Sequence, residues 1–170
     1  ARRSRRRIVF PEGDDPRVMA AAVRLSRDGI VQPILVGSSG VDPKKSGDAR
    51  KYAQIYYQRR RAKGITEIEA AEIARRPLYF AALMVEAGDA DGFVGGASNT
   101  TAETVRAALH AVGPAPGIRL VSSAFIMALR NREYGRNGLM AFADCAVVIE
   151  PDGSQLADIA LPTAETARTL

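Results

Sequence analysis

Short apolar runs alternate with helix-like segments along this chain of 170 residues, and the alternation limits the folds that it can adopt. The apolar run at residues 8–10 ends in a turn, after which Asp14 or Asp15 can cap a helix that has Pro16 at its first position. Strands that alternate with helices favour a parallel sheet, because parallel neighbours need a long crossover connection. The expected fold class is therefore α/β, with a mostly parallel sheet layered with helices.

The same reasoning locates the other elements. Further strands are predicted at residues 34–36 and 91–95 and within the segments IRLVSSAF and GLMAFADCAVVI. Helices are predicted at residues 16–28, 48–63, 77–88 and 100–111, and from residues 66 and 154 onward; those at 66 and 100 begin with capping-box spacing. Pro162 lies inside the last helix, where it removes a backbone donor and clashes with the carbonyl of Asp158. We therefore expect a break or kink near residues 160–162.

Cysteine usage and hydropathy bear on the setting of the chain. Cys145 is the only cysteine, so an intrachain disulfide is impossible, which fits the cytoplasm. No apolar run approaches the roughly 18 to 20 residues that a membrane-spanning helix needs, so no membrane partner is expected. The basic start ARRSRRR leads into the apolar run IVF, which is far too short for a secretory signal. We expect a cytoplasmic protein.

The net charge of +5 depends on arginines at the start of the chain, without which the balance is near neutral. Five of the first seven residues are arginine, at Arg2, Arg3, Arg5, Arg6 and Arg7. These arginines form either a solvated terminus or an arm that binds nucleic acid or another acidic partner. No aromatic residue lies among them, so stacking on bases has no support, and no nucleic-acid partner is expected.

The segment DGFVGGASNTTAETVRAAL places small residues where a predicted strand turns into a helix. Residues 95–101, called the glycine loop below, begin with Gly95 and Gly96, which let a ligand approach the backbone. The free N–H groups of the helix start and the neighbouring hydroxyls predict an oxyanion site, suited to phosphate. A charge-assisted hydrogen bond from Arg106 contributes about 1.5–3 kcal/mol, more than the helix dipole. Alternatively, the small residues only cap the helix and Arg106 lies on a solvated face.

The segment YYQRRRAKG leaves a similar alternative open. Arg59, Arg60 and Arg61 are successive residues of a predicted helix and fan out over about 200°, so they cannot all serve one site. Either the three form a solvated basic face, or one of them points inward and binds an anion.

The remaining candidate residues are weaker. His110 is the only histidine, so a metal site with two histidines is excluded, and a surface or capping role is expected. Asp144, next to Cys145, either caps a turn or acts as an acid. No spacing typical of metal ligands and no Ser/His/Asp order is present, so no metal site is predicted.

Taken together, six segments resemble the phosphate acetyltransferase family. In the family's order they are RIVFPEGDDPRVMAAAVRLSRDGIVQPILVG, YYQRRRAKGIT, DGFVGGASNTTAETVRAAL, VSSAFIM, FADCAV and LADIA. The resemblance covers nearly the whole chain, and it is specific as a set although each piece alone is weak. It implies transfer of an acetyl group between coenzyme A (CoA) and inorganic phosphate, with CoA as a substrate and no further cofactor or metal.

The resemblance also implies an architecture and a set of site residues. The family's fold is similar to that of isocitrate and isopropylmalate dehydrogenases, with two α/β domains, the active site in the cleft and usually a homodimer. Residues 1–123 would form the first domain and residues 124–170 the start of the second. The family's site arginines fall on Arg60 and Arg106, both implied to hold phosphate groups. The candidate substrate-binding residues are Ser98, Thr100 and Thr101, which offer hydroxyl donors at the glycine loop, together with Asn99 and Ser123.

Three departures from the family pattern affect what can be expected of the chain. Only SSG separates ILVG from VDP, where the family has a longer segment, and Pro162 lies where the family has a continuous helix. The family's later serine-rich motif, with its catalytic serine and nearby aspartate, has no counterpart in these 170 residues. The expectation is phosphate recognition without turnover by these residues alone.

Two related functions remain as alternatives. A phosphate butyryltransferase shares the fold and the phosphate chemistry and differs in its acyl pocket. A regulatory acyl-CoA-sensing domain, like the one fused to some malic enzymes, would bind without catalysis. Such domains tend to lack the SNTT type of loop, so the sequence favours a transferase.

Overall fold

A computed structural model describes residues 5–169 and contains two compact units, which divide between residues 113 and 114. The predicted domain boundary after residue 123 stays a prediction. Arg2 and Arg3 of the basic start lie outside the described residues. Arg7 does not belong to a free arm, because it begins the first strand and its guanidinium pairs with Asp91 at 3.3 Å.

The first unit has a three-stranded parallel sheet with helices, which confirms the predicted α/β class. Its elements are β1 (Arg7–Phe10), α1 (Pro16–Arg27), β2 (Gln32–Leu35), α2 (Ala49–Arg60), α3 (Glu67–Ala74), α4 (Pro77–Glu86), β3 (Gly92–Phe93) and α5 (Thr101–Ala111). The strand order is β2-β1-β3, and both pairs are parallel. Because β1 is central, the segments that follow β1 and β3 emerge side by side at one edge of the sheet.

The core of the first unit is centred on α4. Phe80 and its three following residues are fully buried, so this helix is enclosed on most sides. The ring of Tyr52 packs edge-on against Phe80 with centroids 4.9 Å apart, and the Tyr52 hydroxyl donates to Asp89 at 2.7 Å. Burial on this scale stabilises each large side chain by about 1.5–3 kcal/mol and fixes the start of α4.

The helix starts of the first unit follow the predicted chemistry. The Thr66 hydroxyl accepts from the Glu69 N–H at 3.2 Å, and the Glu69 carboxylate accepts from the Thr66 N–H at 2.8 Å. Thr100 and Glu103 make the same reciprocal pair at the start of α5. The predicted capping boxes are therefore confirmed. Asp15 caps α1 by accepting from the Arg17 N–H at 2.8 Å.

The second unit consists of β4 (Ala124–Ala128), β5 (Leu139–Ala143) and α6 (Gly153–Thr169). Both strands are shorter than the apolar segments that predicted them, and they pair antiparallel with each other. The prediction that they extend a parallel sheet is wrong for this pair. The turn that joins them contains Asn137 and Gly138 with φ of 55° and 85°, and so short a link permits only antiparallel pairing.

A break at Pro162 is wrong, because α6 continues through the proline, whereas a kink there stays a prediction. Proline removes a single backbone bond from this helix. The Thr163 hydroxyl donates to the Ile159 carbonyl at 2.7 Å in the same turn, and the Ile159 side chain is 2% exposed. Packing and this extra bond hold the turn in helical form. Within residues 5–169, no helix is both long and apolar enough to cross a membrane.

Candidate functional site

The glycine loop wraps around a carboxylate of the chain itself, that of Glu12. Glu12 Oε2 accepts from the N–H groups of Gly96 at 3.0 Å and Ala97 at 2.7 Å. Glu12 Oε1 accepts from the N–H groups of Ser98 at 2.8 Å and Asn99 at 2.7 Å, and from both of their side chains. Four successive N–H groups converge because Gly96 has a φ of 105°, which glycine adopts without strain.

Sheet topology explains why Glu12 reaches this loop. Glu12 follows β1, the loop follows β3, and these strands are neighbours. Among the described residues Glu12 is the only buried charged side chain, at 8% exposure. Burial alone would raise the pKa of Glu12, but the N–H groups of Ser98 and Ala97 and the donors of Asn99 outweigh it and lower the pKa to about 2. The amide donors that the sequence assigned to an external oxyanion therefore bind an internal anion.

The two threonines of the glycine loop, Thr100 and Thr101, have different surroundings. The Thr100 hydroxyl both accepts from the Glu103 N–H at 3.2 Å and donates to the Glu103 carboxylate at 2.8 Å. The Thr100 hydroxyl thus both donates and accepts within the cap of α5. Thr101 is the exposed first residue of α5 and does not line the cavity described next.

A cavity of about 390 Å³ opens beside the glycine loop. It is lined by Pro11, Glu12, Arg76, Pro77, Leu78, Tyr79, Ser98, Asn99, Glu103 and Arg106. The structure thereby brings together three of the predicted site residues, Ser98, Asn99 and Arg106. Among the described residues, no carboxylate oxygen lies within 4.0 Å of the Arg106 guanidinium.

The three successive arginines of α2 and the turn after it have different environments. Arg60 is half-buried, whereas Arg59 and Arg61 are exposed, and Arg59 pairs with Glu86. The three arginines therefore do not form one equally solvated face, and the anion-binding role of Arg60 stays a prediction. Burial, followed by the positive charges of Arg60 and Arg106, lowers the pKa of His110. Arg60 does not line the cavity, but it and Arg106 both lie near His110.

Sequence reasoning missed several residues around the cavity. Arg76 precedes Pro77, so the sequence places it at a helix start without showing that it faces a cavity. The Tyr79 hydroxyl lies 3.4 Å from Nδ1 of His110, and its ring packs against that of Tyr56 with centroids 5.6 Å apart. A usable signal existed only for Glu12, a carboxylate directly after a strand whose end adjoins the loop.

Ser123, the remaining predicted site residue, belongs to the second unit. Its N–H donates to Asp144 at 2.5 Å and its hydroxyl also donates to Asp144, while the hydroxyl oxygen accepts from the N–H groups of Cys145 and Ala146. Burial alone would raise the pKa of Asp144, but its hydrogen bonds from Ser123 and Val148 lower it. Asp144 anchors a turn in this structure. The substrate-binding role of Ser123 stays a prediction.

The chemistry that the site can perform is anion recognition. Guanidinium groups bind phosphate and carboxylate with charge-assisted, often paired, hydrogen bonds. Within the part of the chain that the structure describes, no group of three His, Cys, Asp or Glu side chains could hold a metal ion.

The family model described as phosphate acetyl/butaryl transferase matches residues 1–170. The chain belongs to this family. It is 40% identical over 186 residues to the phosphate acetyltransferase of Thermoanaerobacterium thermosaccharolyticum, an alignment that covers 100% of the chain and 57% of that relative. It is 43% identical over 171 residues to the phosphate acetyltransferase of Paracoccus denitrificans, with coverage of 97% and 54%.

A solved structure of the family supports the fold. The phosphotransacetylase of Streptococcus pyogenes superposes with a TM-score of 0.86 at 37% identity, covering 96% of this chain and 54% of the other. The chain thus spans about half the length of the curated relatives and solved structures that it matches.

Proposed function

We propose that the protein transfers an acetyl group between CoA and inorganic phosphate, so that acetyl-CoA and phosphate interconvert with acetyl phosphate and CoA. The observation that carries the proposal is the cavity lined by Arg106, whose guanidinium has no carboxylate within 4.0 Å among the described residues. The names of the relatives, phosphate acetyltransferase and phosphotransacetylase, support the same reaction.

The reaction depends more on electrostatic stabilisation by the protein than on covalent catalysis. The sulfur of CoA forms a bond to the acyl carbon of acetyl phosphate as the bond from that carbon to the phosphate oxygen breaks. Phosphate leaves with the electron pair, and the proton given up by the thiol balances its charge. Arg60 and Arg106 would position the phosphoryl group and stabilise the charge that develops on it.

The remaining predicted residues are assigned substrate-binding roles. Ser98 and Asn99 line the cavity, which supports contact between their side chains and a bound substrate. Thr100, Thr101 and Ser123 are included as predictions from the sequence. CoA takes part as a substrate, and no further cofactor is proposed.

The test compares Arg106→Ala and Arg60→Ala with Arg61→Ala, an exposed neighbour on the same turn. Measured on the full-length protein, CoA-dependent release of phosphate from acetyl phosphate should fall by about 10²–10³-fold in the first two, because each removes a donor to the developing charge. The Arg61 variant should stay within about twofold of the unchanged protein. Equal losses in all three variants would argue against a specific arginine pair.

A butyryl group is the second candidate for the acyl chain, because the family's description includes both acyl groups. Initial rates with acetyl phosphate and butyryl phosphate at matched concentrations separate the two. Butyryl has two more methylenes than acetyl, and one methylene in an apolar pocket is worth about 1–3 kcal/mol, so the preference should be at least about 10-fold. We propose acetyl as the preferred chain.

The architecture of the complete protein is part of the same proposal. It would have two α/β domains in the manner of isocitrate and isopropylmalate dehydrogenases, the first ending near residue 123, with the site in the cleft. It would be a cytoplasmic homodimer with small-molecule substrates and without membrane or nucleic-acid partners. Sedimentation equilibrium tests the dimer, and a single monomeric species at micromolar concentration would contradict it.

A further inference from the structure

The cavity beside the glycine loop is too large for a phosphate ion alone. Its volume of about 390 Å³ lies within the range of about 300–1,000 Å³ that is typical of sites for organic ligands. Its lining includes the successive residues Pro77, Leu78 and Tyr79. The cavity therefore combines apolar and aromatic surface with the charged groups of Arg76 and Arg106.

Arg76 is held in place by backbone contacts at the start of α4. Its N–H donates to the Ile73 carbonyl at 3.0 Å, and its carbonyl accepts from the Phe80 N–H at 2.8 Å. Phe80 is fully buried, so the base of the Arg76 side chain has a fixed position. Arg76 lines the cavity from this fixed base.

The charge of Arg76 is uncompensated by any carboxylate within 4.0 Å among the described residues. Arg17 and Arg59 differ in this respect, since they pair with Asp15 and Glu86, and the exposed and equally unpaired Arg75 differs because it does not line the cavity. An arginine that lines a cavity without a partner is available to an anionic ligand.

Two carboxylates also face the cavity, and both already have donors. Glu12 binds the amides of the glycine loop, and Glu103 accepts from the Thr100 N–H and hydroxyl at 2.8 Å each. Neither carboxylate pairs with Arg76 or Arg106 within 4.0 Å. Arg76 and Arg106 are thus cationic groups of the cavity lining that have no ion-pair partner among the described residues.

We propose that Arg76 is a third substrate-binding arginine, which binds a phosphoryl group carried on an organic substituent while the apolar side of the cavity contacts that substituent. The proposal rests on the proposed function and adds a residue to it. Acetyl phosphate and the phosphate groups of CoA share this chemistry, and the experiment below distinguishes them.

The test measures the affinity of the 170-residue chain by isothermal titration calorimetry for inorganic phosphate, acetyl phosphate, CoA and dephospho-CoA. Arg76→Ala should weaken binding of acetyl phosphate or of CoA by about 10-fold or more, because a charge-assisted hydrogen bond is lost. A loss for CoA but not for dephospho-CoA would place the 3′-phosphate at Arg76. The matched control is Arg75→Ala, an exposed neighbour that does not line the cavity and should stay within about twofold.

Further variants separate this inference from the proposed function. Arg76→Lys keeps the charge without the planar fork and should show a smaller loss, and it replaces the alanine variant if circular dichroism shows that the latter is unfolded. If Arg106→Ala weakens binding and neither Arg76 variant does, the role of Arg76 is wrong and the proposed function stands. If the unchanged chain binds none of the four ligands, the proposed function fails as well. Equal losses in the Arg75 and Arg76 variants would overturn the inference in favour of a diffuse charge effect.

Discussion

At the scale of single residues, the Glu12 carboxylate does the most to shape the site. Replacing it with an amide in Glu12→Gln removes the charge and sets an NH₂ group against N–H donors of the loop. We expect a loss of about 1–3 kcal/mol in the free energy of unfolding, because buried donors lose their partner. Urea denaturation measures the loss. Glu72→Gln, an exposed change on α3, is the control and should stay within about 0.5 kcal/mol.

The same residue predicts a dependence of stability on pH. The pKa of Glu12 falls from its ordinary 4.5 to about 2 in the folded chain because its hydrogen bonds outweigh the effect of burial. A carboxyl with a lowered pKa stabilises the fold fully above pH 4.5, and this contribution is lost as the pH falls toward 2. The stability difference between the unchanged chain and Glu12→Gln should therefore narrow across that window in a series of urea titrations. A constant difference from pH 6 to pH 2 would contradict the assignment.

His110 offers a direct probe of the arginines, because it is the only histidine in the chain. Burial and the charges of Arg60 and Arg106 hold its pKa below 6.5. A bound phosphate would offset those charges, so the pKa of His110 should rise when the site is saturated. A proton NMR titration of its ring signal at constant ionic strength, with and without inorganic phosphate, measures the change. The rise should be smaller in Arg106→Ala, and an unchanged pKa at saturation would show that phosphate binds elsewhere.

At the scale of elements, two capping boxes stabilise the starts of α3 and α5. Thr66→Ala and Thr100→Ala should each lower the free energy of unfolding by about 0.5–2 kcal/mol, because each removes a capping box. Thr101→Ala, at the exposed position after the second cap, should stay within about 0.5 kcal/mol. Thermal and urea unfolding provide the measurements. A Thr101 loss as large as the Thr100 loss would mean that the cap is misassigned.

These elements also show which parts of the structure a sequence can predict. Both capping boxes were predictable because the partners are three residues apart and the pattern is local. The contact of Glu12 with Gly96 spans 84 residues and depends on the order of strands, which no local pattern contains. The predicted break at Pro162 failed for a related reason, since the helix is held by packing of Ile159 that the local rule does not include.

The strands and the candidate site show the same difference between local patterns, which a sequence contains, and long-range packing, which it does not. Apolar segments indicated β4 and β5, but pairing depended on the turn at Asn137 and Gly138, so the parallel expectation failed. Arg106 could be predicted from its place after the glycine loop. The half-buried position of Arg60 could not be chosen among three successive arginines until the packing of α2 was known.

At the scale of the whole molecule, burial is concentrated in the first unit. The described core cluster lies within residues 9–111, whereas all five residues of β4 are exposed. Local stability follows buried apolar contacts, so backbone amides of Phe80 to Leu83 should exchange with solvent slowest, and those of β4 and β5 much faster. Hydrogen exchange read by mass spectrometry tests this order. Equal protection of α4 and β4 would contradict it.

The internal carboxylate in the glycine loop has a consequence for the behaviour of the site in solution. Because Glu12 belongs to the same chain, its effective concentration at the loop is set by geometry and does not change with dilution. Chloride, sulfate and other ions in solution must compete with the Glu12 carboxylate for the N–H groups of the loop, and they will not change its conformation. The glycine loop is already ordered before a substrate binds, so little of the substrate's binding free energy is lost in ordering the loop.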